Sequence, residues 1–353
     1  MRRGLAILAL SLLLVACAQR AAPPGPGPAE PQLTDLSFVT HDGLRLPYRS
    51  WLPEKEPVAV IAALHGFNDY SKAFDSPTKT WVELGIATYA YDQRGFGAGP
   101  HPGLWAGSAA LRRDLRTFIG LLRQTHPGVP VYLLGESMGG AVVAATLAAP
   151  DPPEVSGAIL SAPAVWGRDT QPWYQRAALW MGERLVPGWT PSGGDLDIQA
   201  SDNIEMLIAL GRDPLVIKET RIDTVAGLVD LMDEALAAAP RLDQRLLVLY
   251  GAKDELIPWS PTLRFWEALP PEAAERQTFA YYAEGWHMLL RDLQALTVIS
   301  DVASWILAPD ARLPSGAVAA GKMKLKEAAG QEAEAGGSGS PPARPGRVAA
   351  QAP

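Results

Sequence analysis

The chain has 353 residues, of which 48% are hydrophobic and 20% are charged. This length and composition suffice for one large α/β domain with a sizeable buried core, and they exclude a wholly disordered chain. Lys and Arg number 31 against 38 Asp and Glu, which gives a net charge of −7. The overall charge therefore does not favour nucleic acid as a partner.

The N-terminus has the pattern of an export signal rather than of a folded element. Two arginines at residues 1–3 precede an apolar run, Leu5–Val15, that is too short to span a bilayer comfortably. The run leads into Cys17, the single cysteine of the chain, in a Leu-Val-Ala-Cys sequence that resembles a bacterial lipobox. A lipobox cysteine is acylated and becomes the first residue of the mature protein. The alternative is an ordinary signal peptide with an incidental cysteine.

The lipobox interpretation predicts a protein of the bacterial cell envelope. A lipid on Cys17 would hold it to a membrane on the periplasmic side. The next residue is Ala18 rather than aspartate, which resembles lipoproteins sorted to the outer membrane. A lone cysteine also excludes an intrachain disulfide.

Composition divides the chain into four parts. Residues 1–17 form the predicted signal peptide, and residues 18–32, rich in Pro, Gly and Ala, are typical of an extended tether. The folded domain is expected at 33–309. Residues 310–353 consist mainly of Ala, Gly, Pro, Ser, Lys and Glu, so we expect a disordered tail, in which 322–335 can form a short helix.

A Gly-x-Ser-x-Gly motif occupies residues 135–139. An apolar run, Val129–Leu134, precedes it and small, helix-compatible residues follow, which predicts a strand, a tight turn and a helix. In that context the motif is typical of a nucleophile elbow, which lifts the hydroxyl of Ser137 above the end of a sheet. The N–H of Met138 would then point to the place where an acyl oxyanion forms.

Apolar runs alternate with helical patterns along most of the domain, which predicts a mostly parallel sheet with helices on both faces. The run Val58–Leu64 lacks polar residues, as expected of a central strand, and it ends in His65-Gly66-Phe67. At this position α/β-hydrolases place the second half of the oxyanion hole, so the N–H of Phe67 is the second expected donor. We expect His65 to pack and hydrogen-bond its loop rather than to transfer protons.

The alternation stops after the sixth apolar run. Residues 164–241 combine helical patterns with Pro and Gly breaks and four of the 11 tryptophans, which predicts a helical cap inserted after the sixth strand. Trp166, Trp173 and Trp180 recur every seven residues, so those that share a helix share a face. The cap either packs a small core of its own or presents an apolar lid that accepts an acyl chain, and the two interpretations are compatible.

Chain order narrows the choice of partners for Ser137. Acyl transfer by serine needs a base and an acid that orients the base, and in α/β-hydrolases they follow the serine in the order acid, then histidine. His287 is the only histidine after Ser137, and it follows the last predicted strand. Asp254, after the strand that begins at Leu246, fits the acid best, although its neighbour Glu255 stays open.

Charged residues elsewhere have simpler explanations. Arg94 follows a predicted strand, where a buried ion pair that fixes the loop is favoured over an anion-binding site. A helix predicted at 111–124 has a run of charges that we expect to form a solvated surface. These charges are Arg112, Arg113, Asp114 and Arg116.

The motifs together resemble the monoacylglycerol lipase/lysophospholipase branch of the α/β-hydrolases, also classed as serine aminopeptidase S33-like hydrolases. The resemblance runs from about Leu33 to Leu307. The motifs that carry it are His-Gly at 65–66, Tyr-Asp-Gln-Arg-Gly-Phe-Gly at 91–97, Gly-Glu-Ser-Met-Gly-Gly at 135–140, Asp-Pro-Leu-Val at 213–216, Gly-Ala-Lys-Asp at 251–254 and Gly-Trp-His at 285–287.

The resemblance implies an α/β-hydrolase fold and a serine carboxylester hydrolase that forms an acyl-enzyme. Ser137 would be the nucleophile, with Asp254 and His287 as its partners. It also implies a small lipid or ester substrate of the monoacylglycerol or lysophospholipid type, and neither a cofactor nor a metal. One departure is Phe67-Asn68-Asp69, which replaces the family's small residue, glycine and acidic or His positions beside the alcohol side of the site.

Two other functions stay open. An S33-type peptidase would need a carboxylate cluster for the free amine of its substrate; Glu183, Asp195 and Asp197 lie in the cap, but the sequence does not place them. A non-catalytic envelope scaffold is disfavoured because all three catalytic residues are present, although fold alone does not prove function. The sequence does not set the acyl chain length, the head group or the oligomeric state.

Overall fold

The protein is described by a computed structural model that covers residues 20–191, 198–309 and 311–337. In this part of the chain nine strands form one sheet in the order β1-β2-β3-β5-β4-β6-β7-β8-β9. The strands are β1 Gln32–Leu33, β2 Ser37–Val39, β3 Arg45–Trp51, β4 Ala59–Leu64, β5 Ile86–Tyr91, β6 Val131–Glu136, β7 Gly157–Ser161, β8 Leu246–Gly251 and β9 Gln277–Tyr282.

The sheet is antiparallel at one edge and parallel elsewhere. β1, β2 and β3 form an antiparallel meander, and β3 pairs antiparallel with β5. From β5 through β4 to β9 every neighbouring pair is parallel. The predicted α/β fold is thus confirmed. The first apolar run divides into β1 and β2, so the strand that precedes the cap is the seventh rather than the sixth.

Helices cover both faces of the sheet. They are α1 Pro77–Glu83, α2 Ser108–Thr125, α3 Met138–Leu147, α4 Trp173–Leu185, α5 Ile204–Arg212, α6 Ile222–Ala238, α7 Trp259–Glu267, α8 Ala295–Leu307 and α9 Ala317–Gly337. Side chains of α2, α3 and α6 pack on one face of the sheet, and those of α1 and α8 pack on the other. Within the described residues, no helix has both the length and the apolar character needed to cross a membrane.

The alternating burial of the central strands explains why two cores form. β4, β5, β6, β7 and β8 are buried along their whole length. Their alternate side chains enter opposite cores, as Val60 and Ile61 of β4 do. Parallel strands covered on both faces are expected to be apolar throughout, as these are.

The predicted disordered tail at 310–353 is wrong for part of its length. Helix α9 packs against β9 at the edge of the sheet, with Ala317 and Ala328 buried. A Cβ on Gly321 would lie 2.7 Å from the carbonyl oxygen of Phe279, so the helix presents small residues where it approaches the strand most closely. Such a face carries little apolar signal in the sequence. Residues 338–353 lie outside the described residues.

The predicted extended tether, 18–32, also differs in the structure. From residue 20 onward this segment is extended, but it hydrogen-bonds to the folded domain. The N–H of Ala22 donates to the Trp105 carbonyl at 2.8 Å, and the N–H of Ala29 donates to the His41 carbonyl at 2.9 Å. Backbone pairing of this kind has no periodic sequence pattern. The signal peptide and Cys17 lie outside the described residues.

Arg94 forms the predicted buried ion pair, and the structure identifies its partners. The guanidinium donates to Asp114 at 2.5 Å and to Asp42 at 2.6 Å. Asp114 is fully buried, so its assignment to a solvated charged face of α2 is wrong. Its side chain faces the core because Arg94 lies there to neutralise it. The two carboxylates hold the loop after β5 against α2 and against the turn between β2 and β3.

We predict that Arg94→Ala lowers the free energy of unfolding by about 3–5 kcal/mol, because it leaves a buried carboxylate without a counter-charge. Urea-induced unfolding followed by circular dichroism measures this loss. Arg123→Ala is the matched control, since Arg123 pairs with Glu154 in an exposed ion pair, and such pairs contribute roughly 0–1 kcal/mol. Equal losses in the two variants would contradict the assignment.

Candidate active site

The turn between β6 and α3 holds Ser137 in a strained backbone conformation. Ser137 has φ 53° and ψ −114°, a region that residues other than glycine rarely adopt and that costs on the order of 1–3 kcal/mol. Two hydrogen bonds fix this turn, from the N–H of Ser137 to the Ser161 carbonyl and from the N–H of Ala164 to the Ser137 carbonyl, both at 2.9 Å. The strand-turn-helix predicted around the Gly-x-Ser-x-Gly motif is present.

The two glycines of the motif are required by close backbone approach. A Cβ on Gly135 would lie 2.5 Å from the carbonyl carbon of Gly139, and a Cβ on Gly139 would lie 2.2 Å from the carbonyl oxygen of Leu64. Neither distance is possible for a real side chain. The close approach brings the serine turn against the end of β4, where the predicted oxyanion loop begins.

His287 and Asp254 are brought together at the ends of β9 and β8. The Nδ1 of His287 lies 2.8 Å from Oδ2 of Asp254, and both side chains are almost completely buried. The other carboxylate oxygen, Oδ1, accepts from the N–H groups of Leu256 and Ile257 at 2.8 and 2.9 Å. The carboxylate of Asp254 is therefore held on both oxygens, and His287 lines the same cavity as Ser137.

The neighbouring carboxylates do not take the place of Asp254. Glu255 is exposed and accepts from the N–H of Gln199 at 2.6 Å. Glu284 is exposed too and is bonded to Lys253. The choice between Asp254 and Glu255 that the sequence leaves open is therefore made by geometry, in favour of the residue whose carboxylate contacts His287.

The environment of His287 acts on its pKa in two directions. Burial lowers the pKa, because it disfavours the charged imidazolium. The charge of Asp254 and its hydrogen bond raise the pKa, and the charge of Glu136 adds to them, so the net shift is upward. A base that is held ready to accept a proton beside a carboxylate is suited to general acid-base catalysis.

The two predicted oxyanion donors lie on either side of Ser137. Met138 is the first residue of α3, and the first N–H groups of a helix have no partner within it. Phe67 lies in the loop after β4, whose close approach to the serine is shown by Gly66: a Cβ there would be 3.5 Å from the Cβ of Ser137. Asn68 has φ 64°, which turns the loop at that point.

His65 is a structural residue of the same loop. It is fully buried, its Nε2 accepts from the N–H of Gln93 at 3.0 Å, and its Nδ1 donates to the Gly66 carbonyl at 2.8 Å. Burial lowers its pKa, so the ring is held neutral. The expectation that His65 packs and hydrogen-bonds its loop is confirmed.

A cavity of about 570 Å³ opens above Ser137 and His287. Gly66, Phe67 and Asn68 form its floor together with the serine. Its walls come largely from the cap and are mainly apolar; they include Trp166, Leu179, Ile198, Leu210, Val216, Val225, Leu228, Val229 and Met232. A cavity of this size and lining accommodates a drug-sized apolar ligand. The described part of the cap does not pack a core of its own, because the buried side chains of α6 belong to the core shared with α3. The expectation of an apolar surface over the serine fits the structure better, since α6 also lines the cavity.

A buried charge network that sequence reasoning missed lies beneath the site. Arg291 donates to Asp69 at 2.7 Å and to Glu136 at 2.5 Å, and all three side chains are buried. Asp69 belongs to the oxyanion loop, Glu136 precedes the nucleophile and Arg291 follows the histidine. Part of this network could be inferred from the sequence, because a charged residue between Gly135 and Ser137, at the end of an apolar strand, needs a counter-charge. The sequence contains no indication of which cation supplies it.

A second network ties the histidine loop to the cap. Asp292 accepts from the N–H of Trp286 at 2.8 Å and from the hydroxyl of Ser201 at 2.6 Å. The N–H of Met288 donates to the Ala200 carbonyl at 3.1 Å. Asp292 thus positions the loop that carries His287, a role that the sequence patterns did not reveal.

Within the described residues, the structure brings none of the carboxylates considered for a peptidase site to Ser137. Glu183 is on α4 and does not line the cavity above Ser137. Asp195 and Asp197 lie outside the described residues.

Comparison with known proteins agrees with this geometry. The family model described as serine aminopeptidase, S33, matches residues 55–294. The chain belongs to this family. A monoacylglycerol lipase of Mycolicibacterium smegmatis is 30% identical over 277 residues, which are 78% of this chain and 97% of the relative. The human monoglyceride lipase is 24% identical over 274 residues, which are 76% of this chain and 89% of the relative.

Solved structures share the fold. The monoacylglycerol lipase of Paleococcus ferrophilus has a TM-score of 0.61 at 23% identity and covers 74% of this chain and 98% of its own. A soluble variant of the Saccharomyces cerevisiae monoglyceride lipase, bound to a substrate analogue, has a TM-score of 0.65 at 20% identity and covers 80% of this chain and 97% of its own. Family membership and the paired His287 and Asp254 beside Ser137 make this protein a serine hydrolase.

We predict that Asp254→Asn lowers the pKa of His287, because the charge that favours the imidazolium is removed while the burial that disfavours it stays. Titration of the histidine signals by NMR, with His287 assigned from a His287→Ala spectrum, measures the shift. Glu284→Gln is the matched control. It removes an exposed carboxylate closer along the chain and should leave the pKa of His287 unchanged. A pKa that is the same in Asp254→Asn and in the wild type would contradict the pairing.

Proposed function

We propose that this protein hydrolyses carboxylic esters of the monoacylglycerol type through a covalent acyl-enzyme on Ser137. The observation that carries the proposal is the position of Ser137: it lies on a strained turn at the floor of an apolar cavity whose wall includes His287. An ester needs a nucleophile, a base, an anion-stabilising site and room for its acyl chain, and this cavity brings residues suited to all four together.

In the proposed first step, the Oγ of Ser137 attacks the ester carbonyl carbon while Nε2 of His287 accepts the hydroxyl proton. The carbonyl oxygen becomes an oxyanion stabilised by the N–H groups of Phe67 and Met138. Asp254 holds the imidazole by Nδ1 and stabilises its positive charge. The tetrahedral intermediate then collapses, and His287 gives its proton to the departing alcohol, which leaves the acyl group on Ser137.

The second step repeats the chemistry with water. His287 accepts a proton from water, the hydroxide attacks the acyl carbonyl, and the same two N–H groups stabilise the new oxyanion. Collapse of this intermediate breaks the bond to Oγ, and His287 returns the proton to Ser137. The product is a free carboxylic acid, and the hydroxyl of Ser137 is restored. Water is the second reactant of the proposed reaction.

The lining of the cavity favours a lipid acyl chain over a charged amine. Side chains such as Leu179 and Met232 offer apolar contact. Three carboxylates also line the cavity, but Asp69 and Glu136 are paired with Arg291, and Glu255 accepts from the N–H of Gln199. Each buried CH₂ group of a substrate would contribute about 0.8 kcal/mol. Named relatives are monoacylglycerol and monoglyceride lipases, which supports the glyceride class. Lysophospholipids share the acyl ester and belong to the same proposal; the family description keeps an aminopeptidase as the second candidate.

We predict that Ser137→Ala lowers kcat/KM for a monoacylglycerol by at least about 10⁴-fold, because the nucleophile is lost. Release of fatty acid from a panel of monoacylglycerols, lysophospholipids and aminoacyl amides measures both rate and preference. Ser161→Ala is a control for a serine at the neighbouring strand end, and it should keep most of the activity. Full activity in Ser137→Ala would overturn the nucleophile, and turnover of the amides alone would favour the peptidase.

We also propose that the mature protein is a lipoprotein of the bacterial cell envelope, anchored by an acylated Cys17 on the periplasmic side, with Ala18 favouring the outer membrane. The support is the order of a charged segment, a short apolar run and the chain's only cysteine at residues 1–17. An envelope location would place the enzyme beside lipid esters, its proposed substrates.

We predict that mass spectrometry of the mature wild-type chain finds lipid on its N-terminal cysteine, Cys17, and that Cys17→Ser abolishes it. In Triton X-114 phase separation the wild type should enter the detergent phase, whereas any folded Cys17→Ser protein should stay in the aqueous phase. A mature wild type without added lipid mass would overturn the anchor but would leave the catalytic proposal intact.

A further inference from the structure

The chain that leads from Cys17 to the domain is bound to the domain surface. We call residues 20–29 the N-terminal strap. Besides the bonds of Ala22 and Ala29 described above, the N–H of Gly25 donates to the Asp42 carboxylate at 2.8 Å and the N–H of Gly27 donates to the Asp42 carbonyl at 3.1 Å. A Cβ on Gly25 would lie 2.1 Å from that carbonyl oxygen, so the strap lies directly on the domain.

The strap ends beside the cap. The N–H of Arg20 donates to the Asp223 carboxylate at 3.1 Å, in the first turn of α6. The N–H of Asp223 in turn donates to the Pro187 carbonyl at 3.0 Å, just after the end of α4. Two residues, Ala18 and Gln19, separate Arg20 from Cys17, and the three Cα-to-Cα steps span at most about 11 Å. The proposed lipid is therefore confined to the vicinity of the end of α4.

The outer face of α4 is apolar and exposed. None of its 13 residues is buried. Trp173, Trp180 and Leu185 are 77%, 57% and 71% exposed, and Trp189, which follows the helix, is 60% exposed. Arg184 lies over the ring of Trp180 at 4.2 Å, with its charged end at the edge of this face. Indole rings and a long cationic side chain are suited to the boundary between lipid headgroups and acyl chains.

The opposite side of the same helix faces the catalytic cavity. Gln175 and Leu179 line the cavity above Ser137. On a helix these positions lie away from Trp173 and Trp180, because 3.6 residues complete one turn. One helix, about 10 Å thick, thus separates the cavity from the exposed apolar face.

We infer that the strap fixes the lipidated N-terminus beside α4, so that the outer face of α4 rests on the lipid surface of the anchoring membrane. This inference rests on the proposed anchor at Cys17. The short chain between the anchor and Arg20 brings the first turn of α6 and the adjoining end of α4 to the membrane before more distant faces of the domain. The exposed tryptophans provide apolar contact with this surface, and Arg184 beside Trp180 adds a cationic contact at the level of the headgroups. An acyl ester then leaves the membrane next to the cavity that hydrolyses it.

The test places an NBD fluorophore on the lipidated protein, purified in detergent and reconstituted into phosphatidylcholine vesicles that contain doxyl-labelled lipid. Lipid on Cys17 leaves no free thiol, so Met181→Cys labels the outer face of α4 alone. Glu154→Cys is the control, because Glu154 precedes β7 at the opposite end of the parallel strands and is 80% exposed. We expect a blue-shifted, strongly quenched signal at 181 and an unshifted, unquenched signal at 154.

The role of the strap is tested by a 20-residue Gly-Ser insertion between Ala18 and Gln19, matched by the same insertion between Pro31 and Gln32. The first separates the anchor from the strap and should abolish most of the quenching at 181. The second leaves the strap between anchor and insertion and should retain it. A lipidated wild type whose label at 181 stays in water would overturn the inference alone. Equal quenching with both insertions would overturn the role of the strap, and absence of lipid on Cys17 would overturn both the anchor and this inference.

Discussion

The site depends on one buried cation. Arg291 lies between Asp69 and Glu136, and the three residues come from the loop after β9, the loop after β4 and the end of β6. A charge taken out of water is tolerated only when it is paired and hydrogen-bonded, so the guanidinium determines how the three loops can be arranged. If any loop moves away, a buried charge is left without its partner. The oxyanion loop, the nucleophile turn and the histidine loop are held together for this reason rather than by apolar packing, which has no directional preference.

The same arrangement explains how a strained serine persists. The φ of 53° at Ser137 is unfavourable and must be supported by its surroundings. Glycines at 135 and 139 remove the steric obstacles, the Ser161 carbonyl fixes the turn from β7, and Glu136 anchors the residue before the serine through Arg291. The backbone is thus held from three sides. None of these contacts involves the hydroxyl of Ser137, so the hydroxyl stays available to attack a substrate.

The sequence predicts those parts of the protein that follow from periodicity and chain order. The predicted runs Val58–Leu64 and Val129–Leu134 are found as β4 and β6 to within two residues, because central parallel strands are apolar runs between turns. The pairing of His287 with Asp254 was expected because one histidine follows the serine. Residues that act through a distant partner could not be found in this way. Asp114 looks like a surface charge on its helix until Arg94 is placed beside it, and Arg291 and Asp69 are 222 positions apart. A short helix was expected at 322–335, but its packing on β9 was missed because small residues at the closest contact bury well and give no hydrophobic period.

The two sides of the cap differ in how firmly they are bound to the site. This difference affects how a substrate enters. On one side, residues 200–203 are hydrogen-bonded to the histidine loop, including the bond from the Ser201 hydroxyl to Asp292. Movement there would disturb His287. On the other side, α4 has no buried residue and contributes only side chains such as Leu179 to the cavity. Local opening requires least free energy where few apolar contacts are lost, so a displacement of α4 would cost less than a displacement of residues 200–203. A lid that moves apart from the catalytic loops can admit an acyl chain while the buried charges beneath Ser137 stay paired.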